Sequence, residues 1–245
     1  MKLSIIIAVL DSHEIVDRQC KYWNCHGYDP NYGGEVEFII VDDGSDPSIF
    51  DTVTYRYPRV YTITTNDKRK WTQGLARMKG IEACSGEYIF CTDIDHIISR
   101  EAIEFALSFD GDKAVFQRRF AYLDEDGRLI RDKEKLLAWG LNPAAIRDTE
   151  LSDGVHGNTW LMRTQVFREL GGYNMDRCNS GTHLQGEDRE FNGRWSKASN
   201  RDKKYKAQVG GPPIYFFPTG RYHVSGDDNP HELFHGLEHT GWDQT

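Results

Sequence analysis

Tyr88-Ile89-Phe90-Cys91-Thr92-Asp93-Ile94-Asp95-His96 is the stretch on which the reading of this chain turns. Its first four residues are an apolar, β-favouring run, the pattern of a short buried strand. Two carboxylates, Asp93 and Asp95, follow at once. At a strand end they would aim at one point and repel each other. A bound divalent cation removes that penalty and can then hold a diphosphate. The stretch therefore points to a cation-dependent enzyme that handles nucleotides. Surface turns also carry Asp-x-Asp, so the surrounding chain has to supply the context.

Upstream of it, strand and helix patterns alternate. Leu3-Ser4-Ile5-Ile6-Ile7-Ala8-Val9 is continuous and β-branched, as in a strand covered on both faces. Glu14 to Trp23 carries Ile15, Cys20 and Trp23 at helical spacing. Phe38-Ile39-Ile40-Val41 reads as a second strand, closed by Asp42-Asp43-Gly44-Ser45, after which Asp46-Pro47 is expected to open a short helix. Val60-Tyr61-Thr62-Ile63 is a third strand. Gln73 to Cys84 is a helix that Ser85-Gly86 stops. This alternation predicts an α/β domain with a mostly parallel central sheet and helices on both faces. Ligands in such sheets bind at the carboxyl ends of strands. Asp11, Asp42-Asp43 and Asp93/Asp95 all fall at such ends, which points to one shared site.

The second half is less regular. Ala114–Gln117 and Thr159–Met162 read as strands, Asp124–Gly127 as a turn between Arg118–Leu123 and Arg128–Ile130, and Thr164–Leu170 as a helix halted by Gly171-Gly172. Residues 132–153 read as a polar excursion. With no repeat or low-complexity linker, the expectation is a single domain: a nucleotide half over residues 1–97 and a substrate half over 98–245.

Composition narrows the function classes. The 245 residues are 38% hydrophobic and 28% charged, ordinary for a globular protein. No apolar run can span a bilayer, so no integral membrane association is expected. Leu3–Leu10 reads as a strand rather than a targeting segment, which leads to the expectation of a cytoplasmic location. The formal charge of −8 argues against an extensive nucleic-acid backbone interface. Five scattered cysteines match no zinc spacing; Cys25-His26 reads as an ordinary helix end, and reduced thiols are expected. The basic runs Lys68–Lys70 and Arg201–Lys206 read as solvated loops, the first also as a phosphate contact.

Taken in order, strand–Asp, strand–Asp42-Asp43-Gly44-Ser45, the Gly74-Leu75-Ala76-Arg77 helix, Gly86-Glu87-Tyr88-Ile89, Asp93-x-Asp95, Leu170-Gly171-Gly172-Tyr173 and Gly186-Glu187-Asp188 resemble a family 2 glycosyltransferase of the GT-A, Rossmann-like fold. The likeness covers about residues 2–195. Two positions depart from the family pattern. Ala8-Val9-Leu10-Asp11 stands where the first strand usually ends in Pro, and Arg77-Met78-Lys79 stands for the usual Arg-Asn.

The resemblance implies transfer of a sugar from a nucleoside diphosphate donor, UDP-linked, to an acceptor hydroxyl, with inversion. It implies Mn²⁺ or Mg²⁺ as cofactor, held by Asp95 with Asp93 toward the ribose or the metal, and His223 as a third ligand; His231, His235 and His239 compete for that role. Asp43 would meet the nucleobase, Arg77 would face the nucleotide, and Asp11 would meet base or ribose. Asp11 reads equally well as the N-cap of the following helix. Asp188 would be the general base, with Glu187 orienting hydroxyls, although acidic residues also suit the first turn of any helix. Gly157 and Trp160 would flank sugar and acceptor, Trp160 reading equally as core. The acceptor is unspecified. Two other functions fit less well: a sugar-phosphate nucleotidyltransferase, for which Asp11–Glu14 lacks the Gly-rich basic loop, and a noncatalytic nucleotide-sugar-binding module.

Overall fold

The structure, a computed structural model, describes residues 1–24, 32–67, 72–138, 152–179, 186–202, 204–209 and 211–216. In chain order the elements are β1 (Leu3–Val9), α1 (His13–Asn24), β2 (Val36–Asp42), α2 (Ile49–Thr52), β3 (Val60–Thr64), α3 (Gln73–Ala83), β4 (Tyr88–Thr92) and β5 (His96–Ile97). They continue with α4 (Arg100–Ser108), β6 (Lys113–Phe120), β7 (Tyr122–Leu123), β8 (Leu129–Ile130), α5 (Lys133–Ala138), β9 (Ser152–Arg163), α6 (Thr164–Glu169), α7 (Met175–Cys178), α8 (Glu187–Ser196), β10 (Ala207–Val209) and β11 (Ile214–Phe216).

Among the described residues the main sheet has nine strands in the order β3-β2-β1-β4-β9-β6-β11-β5, with β10 also paired to β6. The first four run parallel, as the alternation predicts. β9 then enters antiparallel between β4 and β6. This reversal separates the regular first half from the second.

β1 shows why the sheet needs cover on both sides. Leu3, Ile5, Ile7 and Val9 point into one core cluster, while Ile6 and Ala8 point into the other. Such two-sided burial is what a continuous β-branched run encodes. Helices α1 and α4 cover the first face through Ile15, Val16, Cys20, Trp23, Ala102 and Ile103. Helices α3, α6 and α8 cover the second through Ala76, Ile81, Val166, Phe167, Phe191 and Trp195.

Three local expectations are corrected. Asp46-Pro47 does not open α2: Ser48 caps it, its hydroxyl accepting from the Phe50 N–H at 3.2 Å. Residues 118–120 extend β6, so the turn at Asp124–Gly127 joins only the short β7 and β8. The polar excursion contains a helix, α5, whose Leu136 is fully buried in the core.

Candidate active site

The carboxyl ends of β1, β2 and β4 deliver the acidic loops to one side of the sheet, through the parallel register of these strands. Asp42 is fully buried and builds the loop after β2. Its carboxylate accepts from Ser45 N at 2.9 Å, Ile49 N at 2.9 Å and Gly44 N at 3.3 Å. Asp42 thus holds the turn after β2.

Asp43, expected to meet the nucleobase, has two partners within the chain. Its two carboxylate oxygens accept from Thr65 Oγ1 at 2.7 Å and Thr72 Oγ1 at 2.5 Å, and the residue is 1% exposed. These threonines, which the sequence reading missed, tie the β2 loop to the end of β3 and the start of α3. Asp11 does not cap α1. It has left-handed φ of 52°, receives Asp46 N–H on Oδ1 at 3.0 Å, and donates its own N–H to Ser45 Oγ at 2.9 Å. It thus staples the β1 and β2 loops together.

At the end of β4, one ligand atom each from Asp93, Asp95 and His96 lies within 4.8 Å of the others. His96 Nδ1 is 3.1 Å from Asp95 and 3.9 Å from Asp93. Two hard carboxylate oxygens and an imidazole nitrogen suit Mn²⁺ or Mg²⁺. His96 was not among the expected ligands. Its place next to Asp95, in the short strand β5, was a signal available in the sequence. Arg118 of β6 reaches the other ring nitrogen, Nε2, at 3.3 Å. His223 and the other C-terminal histidines lie outside the described residues, as do Lys68–Lys70 and Cys25-His26.

Arg77, expected to face the nucleotide, is 2% exposed and lies between two carboxylates. Its Nη2 contacts Asp93, and its Nη1 is 3.7 Å from Glu187. Burial opposes the guanidinium's charge, but the surrounding acidic groups, Asp93 foremost, outweigh it, so its pKa lies above the ordinary value. Gln73, one turn earlier, donates to the same Asp93 oxygen at 3.3 Å.

Glu187 and Asp188 open α8. Glu187 is 6% exposed, and burial raises its pKa despite the opposing pull of Arg77. Asp188 is half-buried, with one oxygen accepting its neighbour's Arg189 N–H at 2.7 Å. The far end of α8 is clamped by Arg194, which donates to the carbonyls of Leu170 and Gly172. The Leu170–Tyr173 motif is thus a mount for α8.

Trp160 is core rather than a sugar platform. It is 1% exposed, stacked on Phe167 and on Phe191 and met edge-on by Tyr173. Gly157 is exposed, and the nearest atom to a side chain there would be Asn192 Nδ2 of α8 at 3.7 Å. The thiols beside Arg77 are buried: burial pushes Cys91 and Cys178 each up to about 12, so neither is a nucleophile at neutral pH.

Residues 25–171, more than half of the chain, match the family model described as Glycosyl transferase family 2. The chain belongs to this family. Comparison with curated proteins gives no match. Among solved structures, S. aureus TarS 1–349 superposes with a TM-score of 0.55 at 16% identity, covering 89% of this chain and 60% of that one. Its complex with UDP-GlcNAc gives 0.56 at 15% identity, covering 89% and 58%. The mannosyltransferase PcManGT from Pyrobaculum calidifontis, in complex with GDP-Man and Mn²⁺, gives 0.52 at 15% identity, covering 87% and 56%. At such identity the likeness shows the shared GT-A fold. This glycosyltransferase spans less than two thirds of the length of each. Among its described residues no helix is long and apolar enough to cross a membrane.

Proposed function

We propose that this glycosyltransferase moves a sugar from a UDP-linked donor to an acceptor hydroxyl in one cation-assisted, inverting displacement. The observation that carries the reading is the pairing of two carboxylate sets. Asp93, Asp95 and His96 converge at the end of β4, and Glu187-Asp188 opens α8 on the other side of Arg77. One set suits the leaving group and the other the nucleophile. The donor half is residues 1–97 and the acceptor half 98–245, working in the cytoplasm.

Asp95 and His96, with Asp93, would hold Mn²⁺ or Mg²⁺, which supplies Lewis-acid stabilisation of the departing diphosphate. Asp188 is the general base. It accepts the acceptor hydroxyl's proton as that oxygen bonds to the anomeric carbon and the bond to the diphosphate oxygen breaks. Attack opposite the leaving group inverts the anomeric centre. Glu187, anchored by Arg77, orients its neighbour. Asp43 and Asp11 shape the nucleoside end of the site, and Gly157 lies beside Asn192 of α8 on the acceptor side. Neighbours of the same fold form complexes with UDP, with UDP-GlcNAc, or with GDP-Man and Mn²⁺, which supports a nucleotide-sugar donor and a divalent ion.

The test is release of nucleoside diphosphate from a panel of UDP- and GDP-sugars with Mn²⁺ or Mg²⁺. Turnover should vanish with a chelator and in Asp95→Asn. Asp188→Asn should abolish transfer while preserving nucleotide binding. Pyrophosphate release from a nucleoside triphosphate and sugar phosphate would instead establish a nucleotidyltransferase. Tight binding without turnover would establish a binding module.

A further inference from the structure

Arg77 is a deeply buried cation at the site, 2% exposed, and a buried arginine needs partners to offset its desolvation. It has one on each side, Asp93 from the end of β4 and Glu187 from the start of α8. The same face of α3 supplies two further contacts. Gln73 donates to Asp93 Oδ1, and Gly74 lies directly beneath Glu187, where an added Cβ would stand 3.0 Å from Cγ, Cδ and Oε1. A planar guanidinium with five donors can serve two carboxylates at once, which a lysine cannot do from one point.

We propose that Arg77 is a positioning residue that ties Asp93 to Glu187, holding the donor-side and acceptor-side carboxylates of the transferase in register through one buried guanidinium. This assignment rests on the glycosyl-transfer reading. The two carboxylates come from segments remote in sequence, and no backbone pairing joins β4 to α8. An in-line displacement needs both sides placed together, and a misplacement of about 1 Å can cost about 10²-fold in rate. Arg77 performs that alignment from inside the fold, with only 2% of its surface exposed.

The experiment compares wild type, Arg77→Met, Glu187→Gln and the double variant in Mn²⁺-dependent hydrolysis of a UDP-sugar. UDP affinity by calorimetry and thermal melts run alongside. Each single variant should lose about 10²-fold in kcat, with the UDP Kd within about threefold of wild type. The double variant should fall no more than about threefold below the worse single, because both break one linkage. Losses that multiply would overturn the assignment, as would loss of UDP binding in step with kcat. Arg77→Met leaves buried Glu187 and half-buried Asp93 without their cation and can unfold the chain. Gly74→Ala provides an independent arm, since its methyl pushes Glu187 aside and leaves the Arg77–Asp93 pair in place. It should lower kcat at least about tenfold with UDP affinity kept, and add nothing in a Glu187→Gln background. Unchanged kcat in Gly74→Ala would overturn the assignment. A wild type that turns over no nucleotide sugar would overturn the glycosyl-transfer reading and the Arg77 role together.

Discussion

Replacing Gly80 with alanine should loosen α3 from the sheet it packs on. An ideal Cβ at Gly80 would lie 2.5 Å from Ile6 Cγ2 and 2.8 Å from Val41 Cγ2. Both atoms are methyls on β-branched strand residues, with Ile6 and Val41 fully buried. Such side chains have one or two usable rotamers and cannot swing clear. Either the strands or the helix must move, and overpacking of this kind costs about 1–3 kcal/mol. With two methyls in the way, the upper part of that range applies, about 2–3 kcal/mol. Alanine recovers about 1 kcal/mol of helix propensity. The net loss is then about 1–2 kcal/mol, or a Tm lower by about 2–8 °C for a chain of this size. Gly74→Ala, on the same helix, gains the same propensity and meets only the movable end of Glu187, so it should be neutral or stabilising. Urea titration and thermal melts followed by circular dichroism measure both. Gly80→Ala as stable as wild type, or as stable as Gly74→Ala, would refute the contact argument.

Two further outcomes are expected. Lys113 is buried beneath Trp160, Phe191 and Trp195 with its ammonium bonded to Asn192 at 2.7 Å, and burial lowers its pKa from 10.5 to about 8. The unfolded chain therefore binds the extra proton between those values, so stability should rise as pH climbs through that window, by up to about 3 kcal/mol. Lys113→Met should abolish the rise; a wild-type urea midpoint that stays flat or falls there, relative to the variant, would count against it. Asp42→Ala strands the amides of Ser45, Ile49 and Gly44, and should cost about 2–4 kcal/mol in urea unfolding. A loss under about 1 kcal/mol would show that water replaces the carboxylate.

The parallel half was legible because its signals are local. The apolar runs of β1, β2 and β4, the helix over Gln73–Ala83 and the acidic strand ends stand in the sequence as they do in the fold. The second half was less legible, because β9 and β6 are held by long-range antiparallel pairing rather than by their own pattern. Helix α5 was hidden in a polar stretch whose buried Leu136 joins the core of the sheet. At the site, the Asp-x-Asp and Glu-Asp motifs were readable as residue types. Their neighbours in space were not: Thr65, Thr72 and Gln73 carry no motif that marks them as carboxylate partners.

Periodicity and strand-end carboxylates alone determine that this chain forms an α/β sheet with an acidic ligand end, because burial of alternating apolar side chains depends only on their order. Tertiary structure decided which of these groups are buried and what they pack against. Arg77 and Trp160 are a charged and an aromatic residue that sequence places beside the substrates, yet both are buried, one between carboxylates and one among rings. Whether a side chain meets ligand or partner depends on the segments folded against it. For Asp93 and Glu187 that meeting is made through a single guanidinium, across a distance in sequence that no local pattern spans.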